Sequence, residues 1–334
     1  MENKQNDLIL DIQDLRVIYK TDLETVSAVN GIDLKIGKGK TFGLVGETGA
    51  GKTTTALSIL RLLPSNTGKI LGGKIVFNGK DLLDMDEHMM HAVRGNLISM
   101  VFQDPMSSLN PVYTVDDQIG EAIRLHNPGI SNEEVEKRVD DMLQLVGIIA
   151  SRKHEYPHQF SGGMKQRVVI AMALFLEPRV IIMDEPTTAL DVIVQAQILN
   201  LIKDLKAEQH ISYIFITHDL ATEAEVADRV MVMYAGKAAE LASGDVIFGG
   251  RAMHPYTQKL LASTPRLKRR VSELAFIPGS PPDLIEPPAG CRFAPRCPDA
   301  RARCRCAEPP FAEVGPGHSV ACWKALEDPD YERN

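Results

Sequence analysis

Gly46-Glu47-Thr48-Gly49-Ala50-Gly51-Lys52-Thr53 joins an apolar run, Thr41-Phe42-Gly43-Leu44-Val45, to a helix-forming segment, Lys52 to Leu63, that Pro64 stops. Glycines at 46, 49 and 51 deny this stretch a helix or strand of its own and leave a tight loop with open backbone. A buried strand, a glycine loop and a helix in that order belong to α/β domains with a mainly parallel sheet. The rest of the first 235 residues supports the class, because β and α signals keep alternating there. Val180-Ile181-Ile182-Met183 and Ser212-Tyr213-Ile214-Phe215-Ile216-Thr217 read as further buried strands. Between Gln103 and Ser161 the pattern turns helical and charged, most clearly over Asn132 to Val146, which predicts an inserted helical subdomain over 104–168.

The loop carries its own chemistry. Its backbone N–H groups can turn onto phosphate oxygens, and the helix that follows adds the positive end of its dipole. Gly46, Thr48, Gly49, Ala50 and Gly51 would line that cradle, Lys52 would reach the β- and γ-phosphates, and Thr53, with Thr54 beside it, would ligate Mg²⁺. A chance glycine-rich turn is the bland alternative, and the strand–loop–helix context argues against it. Asp184 closes an apolar strand, where a carboxylate can hold Mg²⁺ through water. Glu185 beside it can orient and deprotonate an attacking water. His218 follows Thr217 at the carboxyl end of a strand, the edge where ligands of open α/β sheets sit. Gln103, after Ser99-Met100-Val101-Phe102, is placed to touch Mg²⁺ or the water. Tyr19, on a β-like stretch from Leu15 to Lys20, can stack on adenine or simply pack in its strand.

A second anion site follows. Ser161 is a good N-cap, and Gly162-Gly163 leave the backbone open at the start of a helix expected over Gly163 to Glu177, ended by Pro178. Since loop 46–53 already cradles the phosphates of its own chain, the simplest use for this site is a γ-phosphate held by another chain. Each nucleotide motif occurs once in the 334 residues.

Together these residues resemble the ATP-binding subunit of an ABC transporter: the loop at 46–53, Gln103, a signature at 161–167, Asp184-Glu185, the Ala189-Leu190-Asp191 turn and His218, over roughly residues 8 to 240. The resemblance implies an α/β P-loop ATPase core, with two such domains packed head to tail and ATP sandwiched between one chain's loop and the other's signature. It implies Lys52 and Thr53 on phosphate and metal, Asp184 and Gln103 on Mg²⁺, Glu185 as catalytic base and His218 as γ-phosphate clamp. Ser161, Gly162 and Gly163 would act on the partner's ATP, and Asp191 would cross the dimer seam. The signature departs from the commonest form, with Phe160 before the serine and Met164 where glutamine is frequent.

A narrower resemblance, to the oligopeptide/dipeptide importer branch, rests on Gln103 to Pro111, on His254-Pro255-Tyr256-Thr257 to Leu261, on Pro278 to Pro282 and on the stretch around Cys291 to Pro298. Nickel and some sugar importers share these motifs. It implies a subunit that powers peptide import at the cytoplasmic face of the membrane. Its partners would be two transmembrane permease subunits, a second ATPase (a different chain favoured over an identical one) and, indirectly, an extracytoplasmic peptide-binding protein. The corresponding domain reading is an ATPase domain over 1–240 and a C-terminal extension over 241–334, with a small module at about 278–325.

All five cysteines (Cys291, Cys297, Cys304, Cys306, Cys322) fall in the last 44 residues. Disulfides are disfavoured in a cytoplasmic ATPase, and the gaps are wider than the tight pairs of zinc ribbons. Four thiolates can instead hold an iron–sulfur cluster. The peptide branch carries a four-iron, four-sulfur cluster on such a tail, and by position its ligands are Cys291, Cys297, Cys304 and Cys322, with Cys306 spare. Free thiols in a loop-rich tail are the bland alternative.

Composition excludes other classes. The longest apolar run, Val168 to Leu176, has nine residues, against about 20 for a membrane-spanning helix. The first residues, Met1 to Asp7, are polar and mixed in charge, without the apolar core of a secretory signal. A net charge of −7 argues against nucleic acid as the main partner. The 57 residues between Gln103 and Ser161 are too few for the coiled coil of a chromosome-maintenance ATPase, and one cassette is fewer than translation ATPases carry.

Overall fold

The computed structural model describes residues 7–188, 190–263 and 276–327. The chain divides into two compact units, 7–84 with 215–327, and 85–214. The elements run β1 (Leu8–Lys20), β2 (Thr25–Gly37), β3 (Thr41–Val45), α1 (Lys52–Ile59), β4 (Gly68–Phe77) and β5 (Lys80–Asp81) in the first unit. The second unit holds α2 (Glu87–Val93), β6 (Ile98–Val101), α3 (Pro105–Ser108), α4 (Val115–His126), α5 (Asn132–Leu145), α6 (Gly162–Leu174), β7 (Val180–Asp184) and α7 (Val192–Gln209). From β8 (Ser212–Thr217) the chain returns to the first unit. There it forms α8 (Leu220–Val226), β9 (Arg229–Tyr234), β10 (Lys237–Ser243), α9 (Gly244–Phe248), α10 (Pro255–Ala262), α11 (Ala302–Cys306), β11 (Ala312–Gly315), β12 (His318–Val320) and α12 (Trp323–Glu327).

In the first unit, β2, β1, β4 and β5 form an antiparallel sheet in that order. Strict alternation sets its faces: Ile32, Leu34 and Ile36 are buried while Asp33 and Lys35 are exposed. β3 pairs parallel with β9, and β9, β10, β12 and β11 follow as antiparallel neighbours. β3 is buried along its whole length, as its unbroken apolar run requires. An apolar cluster containing Val45, Val230, Tyr234, Tyr256 and Phe293 forms the core beside these strands.

The second unit pairs β6 with β7 in parallel. Its helices start at side-chain caps: Thr114 accepts from the Asp117 N–H, Ser131 from Glu134, and Asp191 from Ile193 and Val194. Val135, Val139 and Leu143 put the buried face of α5 at a spacing of four.

Several boundaries differ from the expected ones. α1 ends at Ile59 rather than Leu63, because Arg61 takes a left-handed conformation (φ 52). The Arg61 and Leu62 N–H groups then return to the Ser58 and Leu57 carbonyls at 3.1 and 2.8 Å, and the helix closes without glycine. α6 runs from Gly162 to Leu174 rather than to Glu177, where Glu177 turns left-handed (φ 53). β1 begins at Leu8, well before Leu15, and absorbs register shifts on either side of Asp14 (φ 46). In the tail, β11 and β12 extend the strand series through Glu240↔Val320, a pairing that no long alternation foretells.

Candidate functional site

In the first unit, β3 delivers the chain into loop 46–53 and α1 carries it away. Gly46 has φ 150 and lies so close to the neighbouring backbone that a Cβ would stand 2.2 Å from the Met233 carbonyl oxygen. Gly51, at φ 100, would put one 2.7 Å from the Ala28 carbonyl oxygen. Neither position admits a side chain without moving backbone. Lys52 is 6% exposed and its Nζ donates to the Gly46 and Glu47 carbonyls at 2.7 and 3.1 Å, spanning the loop from within. Ala50 is buried, whereas Thr48, Gly49 and Thr53 are open to solvent on the side a phosphate chain would occupy. Tyr19, from β1, shares a 3.2 Å hydrogen bond with the Thr54 hydroxyl. His218 is exposed just after β8, and Asp219 behind it caps α8 by accepting from the Ala221 N–H and the Thr222 hydroxyl.

In the second unit, Asp184 is buried at the end of β7 and Glu185 turns left-handed (φ 51) immediately after it. That bend directs the Glu185 carboxylate to two donors: Gln103 Nε2 at 2.8 Å and the Thr188 hydroxyl at 2.9 Å. Gln103 and Glu185, 82 residues apart, thus meet directly. A carboxylate held by these donors has a fixed orientation, which suits a group that aligns a water.

The start of α6 is also shaped by packing. Ser161 Oγ accepts from the Met164 N–H at 3.4 Å, and Ser161 and Gly162 are exposed. Gly163 lies against α7, where a Cβ would fall 2.2 Å from Val194 Cγ1. Asp191 fixes that part of α7 by accepting from the Ile193 and Val194 N–H groups at 3.1 and 3.0 Å. Ala189, in the turn before Asp191, lies outside the described residues.

In the tail, Cys291, Cys297, Cys304 and Cys322 line one cavity of about 20 Å³ with Phe293 and Trp323 among its walls, while Cys306 is exposed and takes no part. The Cys291 N–H donates to the Cys304 carbonyl at 2.8 Å, joining the two ends of the cysteine loop. Burial pushes the Cys291 and Cys297 thiols up to about 11 and raises Cys322 as well. Burial thus disfavours the thiolate form of these three, the reverse of the depressed pKa of a reactive cysteine. Among the described residues no group of three or more His, Cys, Asp or Glu is arranged to hold a metal ion.

Comparison with known proteins decides the family. The ABC transporter family model matches residues 29–188, and the oligopeptide/dipeptide transporter C-terminal region matches residues 240–304. A dipeptide transport ATP-binding protein of Bacillus subtilis is 50% identical over 94% of this chain and 94% of its own. The chain belongs to the ATP-binding subunits of ABC transporters. A probable peptide ABC transporter ATP-binding protein of Sinorhizobium fredii is 49% identical over 97% of both chains, and an oligopeptide transport ATP-binding protein of Escherichia coli is 45% identical over 98% of this chain and 96% of its own. Among solved structures, a subunit of an ABC transporter complex from Clostridium perfringens matches 73% of this chain and 92% of its own (TM-score 0.64, 31% identity). An ATP-binding cassette solved as a dimer in a post-hydrolysis state with ADP and Pi matches 70% and 98% (TM-score 0.63, 27% identity).

The α/β fold expected from loop 46–53 is therefore that of an ABC ATPase, and hydrolysis of ATP is this subunit's activity. No helix among the described residues is long and apolar enough to cross a membrane. The ABC motifs do not account for every contact near the site. Thr188, which holds Glu185, belongs to the Thr-Thr pair after Pro186, and its hydroxyl was the only available signal. Glu47 stands in loop 46–53, and Tyr256 and Arg296 stand in the two C-terminal stretches of the importer resemblance, but no local pattern joins them.

Proposed function

We propose that this ABC ATPase powers the import of di- or oligopeptides, as a peripheral subunit on the cytoplasmic side of the membrane that drives partner permeases. The observation that carries the cargo class is the match of residues 240–304 to the C-terminal region of oligopeptide/dipeptide transporters, together with identity to peptide-transport subunits along nearly the whole chain. The domain organisation we infer is an ATPase domain over 1–240, with its helical subdomain over 104–168, and an extension over 241–334.

In the proposed mechanism Lys52 and the N–H groups of 48–53 hold the β- and γ-phosphates. Thr53, Asp184 and Gln103 are the residues that would hold Mg²⁺, which neutralises charge on the phosphates when bound. Glu185 takes the proton of the attacking water, and His218 contacts the γ-phosphate. Tyr19 supports the adenine side. Ser161, Gly162, Gly163 and Asp191 serve the ATP of a second ATPase subunit. The exposure of Ser161 and Gly162, and of Val192 and Ile193 (81% and 71%) beside Asp191, supports a surface that a partner covers. We favour a different chain as that partner, with two permeases and an extracytoplasmic binding protein completing the importer.

The cysteine tail belongs to the same proposal: Cys291, Cys297, Cys304 and Cys322 would hold a four-iron, four-sulfur cluster. The four thiols face one cavity and Cys306 stays outside it. When bound, the cluster would staple a tail too small to build a core of its own.

The test uses the complete transporter in vesicles. Wild type should couple peptide uptake to ATP hydrolysis, and Glu185→Gln should bind ATP while losing turnover by about 10²-fold or more, the scale of general-base removal. Steady-state hydrolysis at the wild-type rate in that variant would overturn the assignment of Glu185. Uptake of nickel or a sugar in place of peptides would overturn the cargo.

A further inference from the structure

Glu47, in loop 46–53, is tied to the C-terminal extension by three hydrogen bonds. Its backbone N–H donates to the Tyr256 hydroxyl at 2.9 Å. Its carboxylate receives a bidentate pair from Arg296, NH1 to Oε2 at 2.6 Å and NH2 to Oε1 at 2.9 Å. Tyr256 belongs to the His254-Pro255-Tyr256-Thr257 motif at the start of α10, and Arg296 directly precedes Cys297. Neither residue has a place in the nucleotide chemistry set out above.

Both are held so that they can act as fixed points. Tyr256 is fully buried, with ring centroids 4.6 Å from Tyr234 and 5.3 Å from Phe293. The Arg296 side chain is 5% exposed. Its Nε donates to the Pro278 carbonyl at 2.8 Å and its NH1 to the Tyr234 hydroxyl at 3.1 Å, so the guanidinium is in place whatever Glu47 does. A planar fork facing a carboxylate fixes orientation as well as distance. Glu47 in turn offers its carbonyl to Lys52, the residue expected to move to the phosphates. The next residues, Thr48 and Gly49, are exposed, and a Cβ at Gly49 would meet open space.

We propose that Tyr256 and Arg296 are positioning residues for the phosphate loop: the extension clamps Glu47 so that the N–H groups of 48–53 are aimed before nucleotide arrives. Preorganisation of this kind raises affinity by removing the ordering cost from the binding step. The clamp makes nucleotide affinity conditional on a folded tail. The proposal rests on loop 46–53 as the phosphate site, which nucleotide binding by the wild-type protein, measured alongside, tests separately.

The experiment is a double-mutant cycle on the full chain, reading the Kd for ATP by fluorescence titration and unfolding by circular dichroism. Arg296→Gln and Glu47→Gln should each weaken ATP binding about tenfold, near 1.4 kcal/mol of lost preorganisation. The double variant should be no weaker than either single one, because each change breaks the same clamp. Arg296→Lys, which keeps the charge and loses the fork, should recover only part of the affinity. Tyr256→Phe, which removes the acceptor for the Glu47 N–H and keeps the ring packing, should weaken ATP binding several-fold in a protein that melts cooperatively. Affinities within twofold of wild type in folded single variants would overturn the proposal, and so would additive losses in the double variant. Failure of the arginine variant to fold leaves Tyr256→Phe and Glu47→Gln to decide by the same two readings.

Discussion

Glu223 in α8 is fully buried, and neither carboxylate oxygen has a hydrogen-bond partner among the described residues. It occupies the space beside Gly43 of β3, where a Cβ would stand 1.6 Å from its Oε1. Burial, helped by the nearby charge of Asp219, raises its pKa well above the ordinary carboxylate value. The folded protein therefore keeps this group protonated after the unfolded chain has lost the proton. Below pH about 4.5 both states are protonated and titration of the group adds no cost; as pH rises beyond that, stability falls by up to about 1.4 kcal/mol per unit until the folded pKa is reached. Glu223→Gln removes the titration. Its stability relative to wild type should climb steadily from pH 5 to pH 7 in urea unfolding, and a difference that stays flat over that range would show that Glu223 ionises freely in the fold. Glu223 lies five residues past His218 and has no motif around it. A glutamate in a helix reads as a solvated face, and only the glycine on the facing strand reveals that it is inside.

Among the elements, α6 and α7 start side by side because a glycine permits it. Gly163 sits inside a helix, where alanine is the better helix former by about 1 kcal/mol. Yet Gly163→Ala should destabilise the protein by about 1–3 kcal/mol, since the added carbon meets the stiff, branched Val194. Removing the obstacle as well, in Gly163→Ala with Val194→Ala, should return most of that loss in guanidinium unfolding. A single variant as stable as wild type would mean that the two helices part easily. Ser161, a good N-cap before a glycine pair, was legible as a helix start, whereas the caps at Ser131 and Asp191 show only in the structure. The far ends were not: Arg61 and Glu177 adopt left-handed backbone that their residue types do not advertise. Helix starts are written in side chains that bond locally, whereas these ends depend on where the chain must go next.

Across the whole molecule, the tail reads by composition as an appendage, yet Phe293 is buried in the same apolar cluster as Val45 and Val230, on the strands that flank the phosphate loop. Loss of the proposed cluster should therefore be felt beyond the tail. Anaerobically purified protein should be brown and contain iron. Removing the iron, or changing Cys322 to serine, should lower the melting temperature by roughly 5 °C or more, as loss of a ligand bound only by the folded state does. A colourless protein carrying zinc and no iron would overturn the cluster. Cys306, exposed and outside the cavity, should tolerate serine with its iron content unchanged.

Loop 46–53, the Asp184-Glu185 strand end, the Ser161 cap and the alternating strands were determined by the sequence alone. Each is a local pattern: neighbours along the chain supply the turn, the cap or the periodicity that defines it. What the tertiary structure decided are the meetings between residues that share no such pattern. Gln103 reaches Glu185 across 82 residues, Gly43 makes room for Glu223, and Arg296 grips Glu47 across 249. Such pairs are selected by packing and charge in three dimensions, where separation along the chain carries no information about distance.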